Sequence, residues 1–234
     1  MSDTISFRQQ DGIATLSFDN PERRNALGSV ELEAIEKALG ALDDATRVLL
    51  ITSSDDRVFC AGADLNQILD GSLDGDRFQS VTNQIAGLSI PTIAVLTGNV
   101  FGGGAELALS CDFRLGREGI VMRIPAAAIG LCYPVVGIER LTSRLGLSLA
   151  RRLLVAAETF SADDMLALGL VDRVLPAAQL RAEAAAYAES WLGLAPIAAT
   201  TKKEPRTVRT GDLKKDPATM LVLPNYRVFH PTCP

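Results

Sequence analysis

Histidine is almost absent from this sequence: a single one, His230, stands near the end of 234 residues. A histidine triad or a multi-histidine metal centre would have to be built around that one residue, so neither is expected and no metal site is assigned. Cysteine is nearly as scarce. Cys60, Cys111, Cys132 and Cys233 form no C-x-x-C pair, and three of them sit among apolar or small residues, the pattern of buried free thiols in a reducing compartment. No run reaches the ~20 apolar residues of a membrane span, and Met1-Ser2-Asp3-Thr4 lacks the basic-then-apolar pattern of a leader. A cytoplasmic location without a membrane partner is the expectation. Positive charge is also in deficit: 23 Lys plus Arg against 28 Asp plus Glu leave a net charge of -5, with no bulk attraction for nucleic acid. Small molecules and copies of the same chain are the expected partners.

What is present has the profile of one or two globular domains, with 47% hydrophobic and 22% charged residues. Charge is unevenly placed. Seven basic and three acidic side chains lie between Lys202 and Pro234, together with five of the 11 prolines. That segment differs in character from the acidic remainder, and the chain divides into a core over residues 1–194 and a C-terminal segment over 195–234.

Apolar and polar residues alternate over Ile5 to Phe7 and Ile13 to Phe18 around Asp11-Gly12, which predicts a hairpin. From Ser29 the spacing of Leu32, Ile35, Ala38, Leu39 and Leu42 is helical, and Val48 to Thr52 is a short continuous apolar run that predicts a buried strand. The alternation then repeats: a small-residue turn at 60–64, a helix from about Gln79 to Leu88, a strand over Thr92 to Leu96, a turn over Gly98 to Gly104, a helix over Ala105 to Ser110 and a strand from Phe113. Past Ile138 the pattern is mostly helical, with helices over Leu141 to Leu145, Ser148 to Ala156, Ala162 to Leu168 behind an N-cap at Ser161, and Arg181 to Leu192. Strands alternating with helices through glycine-bearing turns imply an α/β fold.

Two segments expose backbone rather than side chains: Phe59-Cys-Ala-Gly-Ala-Asp-Leu65 and Gly98-Asn-Val-Phe-Gly-Gly-Gly-Ala-Glu106. In the second, three glycines lead into a helix, where unpaired N–H groups favour negative charge. One donor from each turn would hold a carbonyl oxygen as it becomes an oxyanion. Tight helix contact is the competing reading of the glycines. Neither phosphate-loop signature occurs. Glu106 tilts the balance, because a carboxylate set in the apolar helix beside such a hole can take or deliver a proton next to a stabilised enolate. Asp70, Asp74 and Asp76 miss the calcium-loop spacing and read as a solvated loop. Trp191 and Tyr187 are expected to pack the last regular helix.

These residues resemble the crotonase, or enoyl-CoA hydratase/isomerase, superfamily over roughly residues 5 to 200. The matching pieces are Asn20-Pro21, Arg24-Asn-Ala-Leu27, Phe59 to Leu65, Pro91-Thr-Ile-Ala, Gly102 to Leu109 with Cys111-Asp112, Pro125 to Gly130, Gly137 to Leu141 and Ala167 to Val171. The resemblance implies a crotonase fold, a spiral of strand-strand-helix units with a helical C-terminal part, assembled as a homotrimer or dimer of trimers. It implies an acyl-CoA thioester as ligand, with no separate cofactor because coenzyme A is carried by the substrate. By position, the N–H groups of Ala63 and Gly103 form the oxyanion hole and Glu106 is the acid/base. Arg24, Ala26, Ala61, Asp64 and Leu65 lie where the family holds the CoA moiety. Hydratases of the family use a second glutamate in a P-E-x-x-x-G stretch, which here reads Pro125-Ala126-Ala-Ala-Ile-Gly130; the second carboxylate is a methyl group. That weakens hydration and isomerisation as assignments. Tyr133 resembles an active-site tyrosine of the family's methylmalonyl-CoA decarboxylases, so enolate chemistry without a second glutamate, decarboxylation or thioester hydrolysis, is the alternative, and a non-catalytic acyl-CoA-binding homologue is a third. Space-filling is the competing role for Tyr133. The resemblance stops after about Thr201.

Overall fold

The computed structural model describes residues 3–194. The segment 195–234, with His230, Cys233 and the basic proline-rich stretch, lies outside the described residues. The first hairpin forms as the alternation predicts: β1 (Ile5–Gln10) pairs antiparallel with β2 (Ile13–Phe18) across the Asp11-Gly12 turn. A 3-10 turn at Pro21–Arg23 leads to the short β3 (Ala26–Leu27), then to α1 (Ser29–Gly40), whose Glu31 reaches back to the Gly28 N–H at 2.9 Å. From β4 (Val48–Ser53) onward the chain repeats one theme. β4 enters a large sheet, β5 (Val58–Cys60) a smaller one, and after β6 (Gly62–Ala63) the helices α2 (Leu65–Leu69) and α3 (Gly75–Gly87) return. The next turn comprises β7 (Thr92–Leu96), β8 (Asn99–Phe101) and α4 (Gly103–Ser110), and the third β9 (Phe113–Arg117), β10 (Val121–Arg123) and α5 (Val135–Leu154). The described chain closes with β11 (Thr159–Ser161), α6 (Ala162–Ala167), β12 (Arg173–Leu175) and α7 (Ala177–Glu189).

The large sheet runs β1-β2-β4-β7-β9-β12 and is parallel beyond the hairpin; the smaller runs β11-β10-β8-β5, and β3 pairs parallel with β6. This is the spiral of strand-strand-helix units. The apolar runs of β4 and β7 are continuous because both faces of the sheet are covered. Leu49, Ile51, Ala94 and Leu96 face one cluster shared with α1, α3 and α4, while Val48, Leu50, Ile93 and Val95 face a second built on Leu180, Ala184 and Ala188 of α7. Tyr187 and Trp191 pack edge-on against Phe113 there, as expected, with the Trp191 and Phe113 ring centres 4.6 Å apart.

Several boundaries differ from the sequence reading. α3 begins at Gly75, four residues before the expected Gln79, because Asp74 accepts from the Asp76 N–H at 2.9 Å and caps it. The turns at 60–64 and 98–104 each contain strand, β6 and β8, too short to carry an alternation. α5 starts at Val135 behind Pro134, and the expected break between two helices survives within it as a left-handed Gly146. α7 starts at Ala177 rather than Arg181. Cys60 and Cys111 are buried, but Cys132 is exposed on the loop before α5, contrary to the burial inferred from its neighbours.

One buried amide fixes the loop that leads into β3. Asn25, 1% exposed, takes a left-handed backbone (φ 54°) that asparagine tolerates better than most residues. Its Nδ2 faces Ser53 Oγ, Val58 O and Phe59 O at 2.8, 3.0 and 3.1 Å, and its Oδ1 accepts from the Asn20 N–H at 2.8 Å. Asn25→Ala would strand these groups and is expected to cost about 1–3 kcal/mol in urea unfolding; an unchanged midpoint would remove the latch. A second expectation concerns the thiols. Burial pushes the Cys60 thiol up to about 12 against the opposing Gly62 N–H, so near neutral pH it stays protonated and shielded. Iodoacetamide on the native protein, followed by peptide mass analysis, should label Cys132 and spare Cys60 and Cys111; labelling of Cys60 at the rate of Cys132 would contradict this burial.

Candidate active site

The site begins where β6 meets the start of α4. Gly62 has φ +92°, and a Cβ there would lie 2.4 Å from the Gly103 nitrogen and 3.0 Å from its Cα. Only glycine lets these two backbones approach so closely. The strand residue that follows is Ala63 and the first helical residue opposite is Gly103, so the two predicted oxyanion donors come from adjoining segments. Gly103 is the first residue of α4, and first-turn N–H groups have no partner within their own helix.

Glu106 lies one turn further along α4, at the i+3 position that shares a helix face with Gly103. It is 1% exposed. Its Oε2 accepts from Tyr133 Oη at 2.7 Å and from Gln79 Nε2 at 3.2 Å, and its Oε1 accepts from Arg140 Nη1 at 2.5 Å. Arg140 also donates to Thr82 Oγ1 at 2.9 Å and to Asn83 Oδ1. Gly137, in the first turn of α5, presses its backbone on the same carboxylate: a Cβ there would come within 3.0 and 3.1 Å of the Glu106 oxygens and 2.7 Å of the Tyr133 ring. Tyr133 is half-buried. Burial first, and then the Glu106 charge and the hydrogen bond to it, hold its phenol well above the ordinary tyrosine value, so it keeps its proton at neutral pH.

The second predicted group converges through β3 and β6. Ala26 pairs with Gly62 and Leu27 with Ala63, and the Ala61 N–H donates to Arg24 O at 3.0 Å. Arg24 and Leu65 are exposed, and Ala26 and Ala61 half-buried. Asp64 differs: it is buried, accepts from the Asn66 N–H at 3.0 Å as the N-cap of α2, and pairs with Arg23. Its carboxylate is engaged by the chain itself. Ala126 opens a 3-10 turn and is 6% exposed within the main core cluster.

Sequence reasoning missed Arg140, Gln79 and Gly137. Arg140 and Gly137 lay inside a quoted matching stretch, yet an arginine on a mixed-polarity helix reads as a solvated charge. A groove of about 710 Å³ between the outer face of β1, β2 and β4 and α7, lined by residues such as Arg8, Thr15, Thr52 and Arg181, contains none of the predicted site residues. No helix among the described residues is long and apolar enough to cross a membrane.

Comparison with known proteins accords with this layout. The family described as enoyl-CoA hydratase/isomerase matches residues 8–216. The mitochondrial enoyl-CoA hydratase domain-containing protein 2 of Bos taurus is 37% identical over 205 residues, covering 82% of this chain and 69% of its own length. The crotonyl-CoA hydratase of Syntrophomonas wolfei is 31% identical over 188 residues, 77% of this chain and 72% of that protein. A crystal structure of enoyl-CoA hydratase from Mycobacterium tuberculosis superposes with a TM-score of 0.74 at 31% identity, covering 85% of this chain and 86% of that one. With its spiral core, its glycine-flanked turns and this breadth of match, the chain belongs to the enoyl-CoA hydratase/isomerase family of the crotonase superfamily.

Proposed function

We propose that the protein is an enzyme acting on acyl-CoA or enoyl-CoA thioesters, in which the Ala63 and Gly103 N–H groups hold the thioester oxygen as it gains charge and Glu106 serves as acid/base. One observation carries the reading: a buried carboxylate stands one helical turn from the N-terminal glycine of α4, which itself abuts the strand bearing Ala63. Donors preorganised on a developing oxyanion contribute about 3–4 kcal/mol each to lowering the barrier, and a placed proton carrier about 10²–10⁴ in rate. Arg24, Ala26, Ala61 and Leu65 border the same strand and are proposed to hold the CoA moiety, with Asp64 shaping that edge as a helix cap.

A second reading concerns the reaction class, and Ala126 favours it. Hydration needs one group to activate water and another to deliver the proton, whereas a methyl group does neither. Enolate chemistry with a single carboxylate, as in decarboxylation of a methylmalonyl-type thioester or thioester hydrolysis, makes no such demand, and the Tyr133 hydroxyl stands hydrogen-bonded to that carboxylate. A homotrimeric or hexameric assembly in the cytoplasm completes the proposal.

Purified protein given crotonyl-CoA and methylmalonyl-CoA in parallel should consume at least one of them. Glu106→Gln should reduce that turnover by about 10²-fold or more while the thioester still binds in calorimetry. Turnover unaffected by the substitution would remove Glu106 from the mechanism. Tight binding with no product from either thioester would identify a non-catalytic homologue.

A further inference from the structure

We propose that protons pass between the substrate's α-carbon and Glu106 by way of the Tyr133 hydroxyl, with Arg140 as the positioning residue that holds the carboxylate. This rests on the thioester reading above and assigns the order of groups within that site.

The argument starts from access. Both Glu106 oxygens already accept hydrogen bonds, Oε1 from Arg140 and Oε2 from Tyr133 and Gln79. The Gly137 backbone closes a further approach, because even one added carbon would meet both oxygens at about van der Waals distance or less. A reacting carbon must come within ~3–3.5 Å of the atom that takes its proton, and a carboxylate 1% exposed behind three donors does not offer that approach.

Among the three donors, one can carry a proton onward. Arg140 keeps its proton under all physiological conditions, and an amide such as Gln79 has none to exchange on this timescale. Tyr133 and Arg140 are both half-buried, whereas Gln79 is 6% exposed. Of the two partly accessible members, the phenol is therefore the one able to hold and pass a proton. Its hydrogen already points at Glu106 Oε2 over 2.7 Å. The depth of the Arg140 guanidinium, anchored to Thr82 and Asn83 of α3, fixes Glu106 for that bond.

The step balances without another reactant. As the substrate's Cα–H bond breaks, its electron pair forms the enolate double bond and the thioester carbonyl pair moves onto oxygen in the backbone hole. The released proton goes to Tyr133 Oη while the phenol's own proton goes to Glu106 Oε2. One negative charge leaves the carboxylate and appears on the enolate oxygen, and Arg140 stays cationic throughout. Reprotonation of the enolate runs the same path in reverse.

Exchange of the α-hydrogens of butyryl-CoA in heavy water, followed by mass spectrometry, tests the order, with calorimetric binding and thermal melting measured on each protein. Tyr133→Phe keeps the ring and removes only the relay atom. It should slow exchange about as much as Glu106→Gln, by roughly 10²-fold or more, and the double variant should be no slower than either single one, since members of a single relay fail together. Arg140→Gln should slow exchange with little change in butyryl-CoA affinity, and added guanidinium should restore part of the rate. Tyr133→Phe exchanging near the wild-type rate while Glu106→Gln does not would overturn the relay and leave Glu106 acting directly. Losses that multiply in the double variant would also overturn it. Binding of butyryl-CoA without any exchange by the wild type would overturn the relay alone; no binding at all would overturn the thioester reading itself.

Discussion

A carboxylate enclosed in an apolar helix is the constraint on which the arrangement of α3, α4 and α5 depends. Glu106 occupies a helix whose residues from Gly104 to Ser110 are all buried, so its charge must be met from neighbouring elements. Gln79 meets it from α3, Arg140 from α5 and Tyr133 from the loop that enters α5. Removing one partner of such a pair costs about 3–5 kcal/mol because the other charge is left buried. Yet a hydrophobic replacement of the whole pair is often no less stable. The fold therefore gains little by keeping the pair, which is the reason to assign it to chemistry.

The second constraint is a contact that no side chain makes. β6 can lie against the start of α4 because Gly62 presents no Cβ to the Gly103 nitrogen. β6 in turn pairs with β3, and β3 is held by the buried Asn25 amide to the Ser53 side chain and to the strand at Val58 and Phe59. The chain of contacts from Asn25 to Gly103 thus begins at a buried side-chain amide and continues through backbone. The proposed oxyanion hole demands precise placement of its donors, and that precision rests on short strands and one buried amide.

How much of this was legible follows from the range of each interaction. The hairpin, α1, β4, β7 and the cap of α6 were readable because a local alternation, a helical period or a Ser161 N-cap specifies each within a few residues. β6 and β8 were not, since two or three residues carry no period and form only because partners from distant segments are already in place. At the site, Glu106 stood out as a charge inside an apolar helix, and the glycine turns as exposed backbone. Arg140 did not: on α5 it follows the exposed Ile138 and Glu139, and its burial depends on Thr82, Asn83 and Glu106, which are 34 to 58 residues away in sequence. Cys132 failed in the opposite direction, because apolar neighbours in a loop do not secure a place in the core.

The two ends of α4 explain why ligand chemistry is assigned to one of them. A buried helix leaves carbonyls at its C-terminus and N–H groups at its N-terminus without helical partners. At the C-terminal end Arg144 donates to Cys111 O at 2.6 Å and Arg114 Nη1 donates to the same oxygen at 2.9 Å, so two guanidinium groups neutralise the negative pole. At the N-terminal end the chain supplies glycines, which let Gly103 lie against the Phe78 ring and Gly104 against the Cys60 carbonyl, with the positive pole beside β6. The same helix carries Glu106 one turn inward from that pole. On the proposed reading, an anionic oxygen forming at the N-terminus and a proton leaving toward Glu106 would move charge along a single helix, with Arg140 balancing the carboxylate while the proton is absent.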